Sequence, residues 1–363
     1  MSKHESKTCP GQGPAAPPPV ELPPTRVGDL DGSLRPKKAA RRALKVPMKA
    51  VEVLLPAAAV YWQDHVEYVH QLRVSTRRAS AAIDVFGACL EPRRARRTQK
   101  LLKRIRRAAG EARDCDVHLG LFRALQQECE ASLRPAVAHL IDGLELRRVE
   151  AQEEVIHAAA RYPASRLRQA RQSLREATSP PGRLRMPGPE GEKGRRRAVR
   201  RLRDLAAVVV PPAALAVRRE ARGESWDEAQ LHEVRIALKR LRYACEIFYG
   251  CMTEERQAAI KGQVIPLVDR LGAMNDVSNV LCRVHEFEAE VGDDEQELRA
   301  SFAALAGYFE KQRAEAQAAA ASALREVLDH HVFEMLEDGR GLSAPAGSPS
   351  AAGGPSPSPP DQS

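Results

Sequence analysis

HQLRVSTRRASAAIDVF, residues 70–86, and HEVRIALKRLRYACEIF, residues 232–248, read as two versions of one segment. The offset is 232 − 70 = 162, and it pairs Arg73 with Arg235, Arg77 with Lys239, Arg78 with Arg240 and Phe86 with Phe248. The same offset pairs Gly110 with Gly272 and Asp114 with Asp276, so AGEARD matches LGAMND without a gap. Two unrelated helices can share alternating Arg and Leu by chance, but a single offset held from His70 to Asp114 indicates an internal duplication.

Both segments carry a helical period. Leu231, Val234, Leu238, Leu241, Cys245 and Phe248 recur at 3-4 spacing, and Val69, Leu72, Thr76, Ala79, Ile83 and Phe86 keep the same register. Ser225 with Glu228 three residues on predicts a capping box for the second helix. Helices are also expected over 35–60, 93–109, 116–130, 134–160, 195–221, 255–271, 276–291 and 296–335, with no strand of any length. The predicted fold is all-α: two helical bundles of about four main helices each, related by a pseudo-twofold duplication.

Composition agrees with that class. Of 363 residues, 43% are hydrophobic but only 4% aromatic, so the core must be Leu, Ala, Val and Ile. Residues 1–30 and 339–363 are Pro-, Gly- and Ser-rich tails expected to be disordered. Residues 178–193 read as a Pro/Gly linker between halves at 31–177 and 194–338. Seven cysteines without a CxxC pair read as core residues in a reducing compartment. No leader peptide or membrane span is apparent, so a cytoplasmic protein is expected.

Lys and Arg total 57 against 48 Asp and Glu, a net charge of +9 that steers polyanions without choosing among them. The cations fall in stripes. His232, Arg235, Lys239 and Arg242 lie on the shoulder of one apolar seam, and His70, Arg73 and Arg77 on that of the other. Arg96, Lys100, Lys103 and Arg107 form a further stripe, as do Arg35, Lys38, Arg42, Lys45 and Lys49, and Arg196, Arg200 and Arg203. The Lys100 stripe does not recur, since the offset gives Gly262, Ile265 and Asp269; the binding surface should be asymmetric. A half-buried cation needs a partner or an anion, and forked guanidinium donors suit phosphate oxygens.

These paired segments, with the AGEARDCDV and LGAMNDV stretches, resemble the conserved histidine α-helical domain (CHAD) family, in its stand-alone form, over about 31–335. The resemblance implies a helical protein that binds inorganic polyphosphate on a basic surface, some members being found at polyphosphate granules. Carried over by motif position, the ligand-binding residues are His70, Arg73, Arg77 and Arg78, and His232, Arg235, Lys239 and Arg240. Lys38, Arg42, Lys103, Arg107, Arg200 and Arg242 are added as basic neighbours. No cofactor or metal is implied.

Rival readings remain. Two histidines supply only two metal ligands, though a phospho-accepting histidine looks the same in sequence. Nucleic acid would suit the charge non-specifically, but aromatic residues interleaved with it are lacking. An enzyme would need a metal-holding carboxylate set or a Gly-rich phosphate loop; the string EFEAE at 286–290 lacks the lysine of an ExExK triphosphatase motif. The chain is expected to be a binding protein and not a catalyst.

Overall fold

A computed structural model describes residues 21–24, 28, 30–176, 185–187 and 196–338. Most of both tails and of the 178–193 linker lies outside the described residues.

Twelve α-helices are described: α1 (Pro36–Val60), α2 (Glu67–Val85), α3 (Pro92–Ala108), α4 (Gly110–Glu128), α5 (Arg134–Arg161), α6 (Ala164–Glu176), α7 (Leu202–Glu220), α8 (Glu228–Phe248), α9 (Glu254–Ala259), α10 (Ile265–Glu288), α11 (Gln296–Asp329) and α12 (Val332–Glu337). The described strands are two three-residue pieces, Arg185–Pro187 and Arg196–Ala198, paired antiparallel. So α7 begins at Leu202 and not near 195, and α6 is a helix that periodicity alone did not single out. Among the described residues no helix is long and apolar enough to cross a membrane.

Local chemistry accounts for several boundaries. Pro36 and Pro92 open α1 and α3 at positions where a missing N–H costs nothing. The Glu91 carboxylate accepts from the Arg93 and Arg94 N–H groups at 2.8 and 3.0 Å. The α8 capping box is built two residues later than the expected Ser225–Glu228 pair. Asp227 accepts from the Gln230 N–H at 2.8 Å, and Gln230 accepts from the Asp227 N–H at 3.0 Å. The two glycine motifs also differ. Gly110 starts a new helix, whereas Gly272 lies inside α10, which runs on from a π-helical turn at Ile260–Val264. Asp276 therefore caps no helix.

Two apolar cores are present, and each draws on both halves of the chain. The smaller sits among α4, the first part of α5, the second part of α10 and the first part of α11, centred on Phe122, Leu140, Val284 and Phe302. The larger joins α1, α2 and α3 to α7 and α8, and is capped by α12. The halves of the sequence are therefore not separate folding cores.

The α2–α8 junction brings offset-related positions of the two halves together. The Phe86 and Phe248 rings meet with centroids 6.4 Å apart. Arg78 pairs with Glu246 at 3.2 Å; at the offset positions burial raises the Asp84 pKa, and the Arg240 charge partly offsets that rise without an ion pair. Both helices end in a 3-10 turn, Gly87–Cys89 and Tyr249–Cys251.

Candidate functional site: a cation cluster at the α2–α8 junction

The seam residues Leu72, Thr76, Ala79, Leu238 and Leu241 are buried, which turns the next positions round each helix into a half-buried shoulder. Arg77 of α2 stands at the centre. Its charge, acting after burial in each case, helps to depress the pKa of five neighbours: His70, Arg73, Arg106, Arg235 and Lys239. Lys239 is moved furthest. Burial first, then Arg235 and Arg77, bring it down to about 8. The Nε atoms of Arg77 and Arg235 are buried and have no hydrogen-bond acceptor.

Carboxylates are few here. Asp114 lies 3.7 Å from Arg73, and Asp276 acts on Arg235 and Lys239. Arg73, Arg77, Arg106, Arg235 and Lys239, with Arg113 acting on Arg73 as well, outnumber these two carboxylates. Concentrating like charge at a half-buried site is unfavourable unless an anion completes it.

The residues expected from the sequence divide into three sets. Arg77, Arg235 and Lys239 are in the cluster, with His70 at its edge. Burial, then the charge of Arg113, holds the His70 pKa below its ordinary value, so the ring is neutral at pH 7. Arg73 is in the cluster but is already engaged. Its Nη1 donates to the carbonyls of Arg106 at 3.2 Å and Ala109 at 3.3 Å, closing the C-terminus of α3. Gly110 permits this, because a Cβ there would stand 3.2 Å from that Nη1.

Arg78 forms the second set through its pair with Glu246 of the opposite half, while Arg240 is exposed on α8 and acts on Asp84 only through its charge. Arg242 belongs to this set through Asp269 at 3.3 Å. Asp269 stands at the position that the offset pairs with Arg107.

The third set is exposed. His232 is open to solvent on α8, and Lys103 and Arg107 lie on the outer face of α3. Lys38 and Arg42 lie on the outer face of α1 and share no hydrogen bond or ion pair with the cluster. Arg200 is exposed before α7, its N–H donating to Asp204 at 2.9 Å, and Arg203 faces Asp31. The side chain of Arg196 lies outside the described residues.

Sequence reasoning missed Arg106 and Arg113. The stripe it chose on α3 is the exposed one; Arg106 follows the buried Ile105 and turns back towards α2. It also missed what the acids of AGEARDCD do. Asp114 serves Arg73, and Glu111 reaches across to Arg283 of α10 at 2.7 Å. Asp116 holds Arg148 in a buried pair at 2.5 Å, with the guanidinium over the Trp62 ring. Among the described residues no three His, Cys, Asp or Glu side chains are grouped to hold a metal ion.

The CHAD domain family matches residues 48–281, and the chain belongs to that family. Among solved structures it is similar to the CHAD domain from the plant Ricinus communis, with a TM-score of 0.59 at 20% identity, covering 83% of this chain and 95% of that one. It is also similar to PptA from Streptomyces chartreusis, with a TM-score of 0.55 at 18% identity, covering 82% of this chain and all of that one. At those identities the likeness is one of fold. No curated protein matches the sequence.

Proposed function

We propose that this chain binds inorganic polyphosphate, with Arg77, Arg106, Arg235 and Lys239 as the core of the site. The observation that carries the reading is the patch itself: half-buried cations gathered from α2, α3 and α8, two buried guanidinium Nε atoms without acceptors, and a lysine pushed down to about 8. A chain of phosphates supplies acceptors to all of them at once and favours the charged form of Lys239, raising its pKa again. Family membership supports polyphosphate over other polyanions, in line with the resemblance set out above. Asp114 is taken up by Arg73, and among the described residues no acids gather to hold a metal ion, which favours a binding and scaffolding role over catalysis; a place at polyphosphate granules fits such a role.

The test is a titration with long-chain polyphosphate at about 150 mM salt, with duplex DNA as competitor. Arg77→Ala/Lys239→Ala should weaken binding roughly a hundredfold, since a hydrogen bond to a charged group contributes about 1.5–3 kcal/mol and each 1.4 kcal/mol is tenfold. DNA in excess should not displace the ligand. Equal displacement by DNA, or an unchanged affinity in the variant, overturns the assignment.

A further inference from the structure

The cluster uses only one edge of α3. That helix carries nine cations in 17 residues, PRRARRTQKLLKRIRRA, and no acid. Ala95, Thr98, Leu102 and Ile105 face the core, and Arg106 faces Arg77. Beyond Arg106 and Gln99, in steps of 3.6 residues per turn, the outer surface is cationic throughout, running from Lys103 through Arg107 and Lys100 to Arg104 and Arg97. Like charges at i, i+3 and i, i+4 repel, so this helix is held together by packing against a charge pattern that opposes it.

The far edge of that arc does not end on open surface. It forms one wall of a groove whose other wall is α6. Arg97, Lys100 and Arg104 line it from α3, and Arg166, Gln169 and Gln172 from α6. Glu176 also borders the groove but pairs with Arg94 at 3.7 Å, and Arg94 donates to the Ser173 carbonyl at 3.3 Å. Arg166 lies over the Tyr162 ring, 5.3 Å from its centroid. Among the described residues no carboxylate lies within ion-pair distance of Arg97, Lys100 or Arg104.

We infer that the α3–α6 groove is a second phosphate-chain subsite, joined to the α2–α8 cluster by the cationic arc of α3. The inference rests on the proposed function, and it adds that the protein measures chain length. A short oligophosphate fills the cluster alone, whereas a long chain passes over α3 and enters the groove. The second contact is then intramolecular and adds affinity without any change at the first.

Three variants test it, each titrated with tripolyphosphate and with long-chain polyphosphate. Arg97→Ala/Lys100→Ala/Arg104→Ala should lower affinity for the long chain at least tenfold and leave tripolyphosphate unchanged. Arg77→Ala/Lys239→Ala should weaken both ligands. Arg134→Ala/Arg222→Ala/Lys311→Ala, which removes three exposed cations elsewhere, should change neither by more than the loss of net charge explains. The inference is overturned if the groove variant binds the long chain as wild type does, if it loses both ligands equally, or if the Arg134 variant loses as much. Those outcomes leave the cluster standing. A wild-type protein that binds neither ligand removes the proposed function along with the groove.

Discussion

Arg73 and Asp114 lie 3.7 Å apart, and the same guanidinium closes the last turn of α3 through the carbonyls of Arg106 and Ala109. One arginine thereby ties together α2, α3 and α4. Arg73→Ala should destabilise the fold by about 1–3 kcal/mol, because two carbonyls and a carboxylate lose a charged donor at once. Chemical denaturation of the variant reads this directly. A stability equal to wild type would mean that water replaces the guanidinium at no cost.

Lys239 makes binding and stability depend on pH in opposite directions. Its pKa is held down to about 8 in the folded chain, against an ordinary value of 10.5. Between those values the unfolded chain binds more protons than the folded one, so this group makes the unliganded protein more stable as pH rises. Polyphosphate affinity should fall over the same range, since the bound anion requires the proton that Lys239 is losing. Lys239→Arg keeps the charge and should flatten both profiles above pH 8. Binding and melting curves collected from pH 7 to 10 test both signs.

Arg78 distinguishes a clamp from a ligand. It pairs with Glu246 across the junction of the halves, with both side chains largely shielded. A double-mutant cycle of Arg78→Ala with Glu246→Gln should show a coupling of about 0.5–1 kcal/mol in stability. The polyphosphate affinity of Arg78→Ala should stay at the wild-type value. A loss of binding without a loss of stability would return Arg78 to the site.

Gly143 of α5 faces Phe287 of α10 with no room for a side chain. A Cβ there would stand 2.2 Å from Cε1 of Phe287, a buried ring that also carries the Arg147 guanidinium 4.2 Å from its centroid. Gly143→Ala should cost about 1–3 kcal/mol by overpacking, and adding Phe287→Leu should recover part of it. Polyphosphate binding at the distant α2–α8 junction should be unaffected. A silent Gly143→Ala, measured by thermal melting, would show that α5 and α10 can separate without penalty.

How much of the site could be read beforehand varies from residue to residue. Arg77 and Lys239 were legible because their place one step beyond a buried seam is a property of one helix. Arg106 was not, because its own helix offers a longer and more conspicuous stripe on the outside. Arg242 read as a free cation only while Asp269, 27 residues away, was unseen. Lys38, Arg42 and Arg200 carry the right charge but are exposed, and charge alone does not say which way an outer face points.

The helical class, the register of the two His-Arg helices and their 162-residue offset can be read from residue order alone. These are local or translational properties, carried by a 3.6-residue period and one offset. Which cations are left without an acid depends on how the helices pack. Asp114, Glu246 and Asp269 arrive from other helices, and the arginines they meet become struts. The chain likewise could not show that its repeated halves share both cores, because burial depends on which faces come together and not on the order in which they are written.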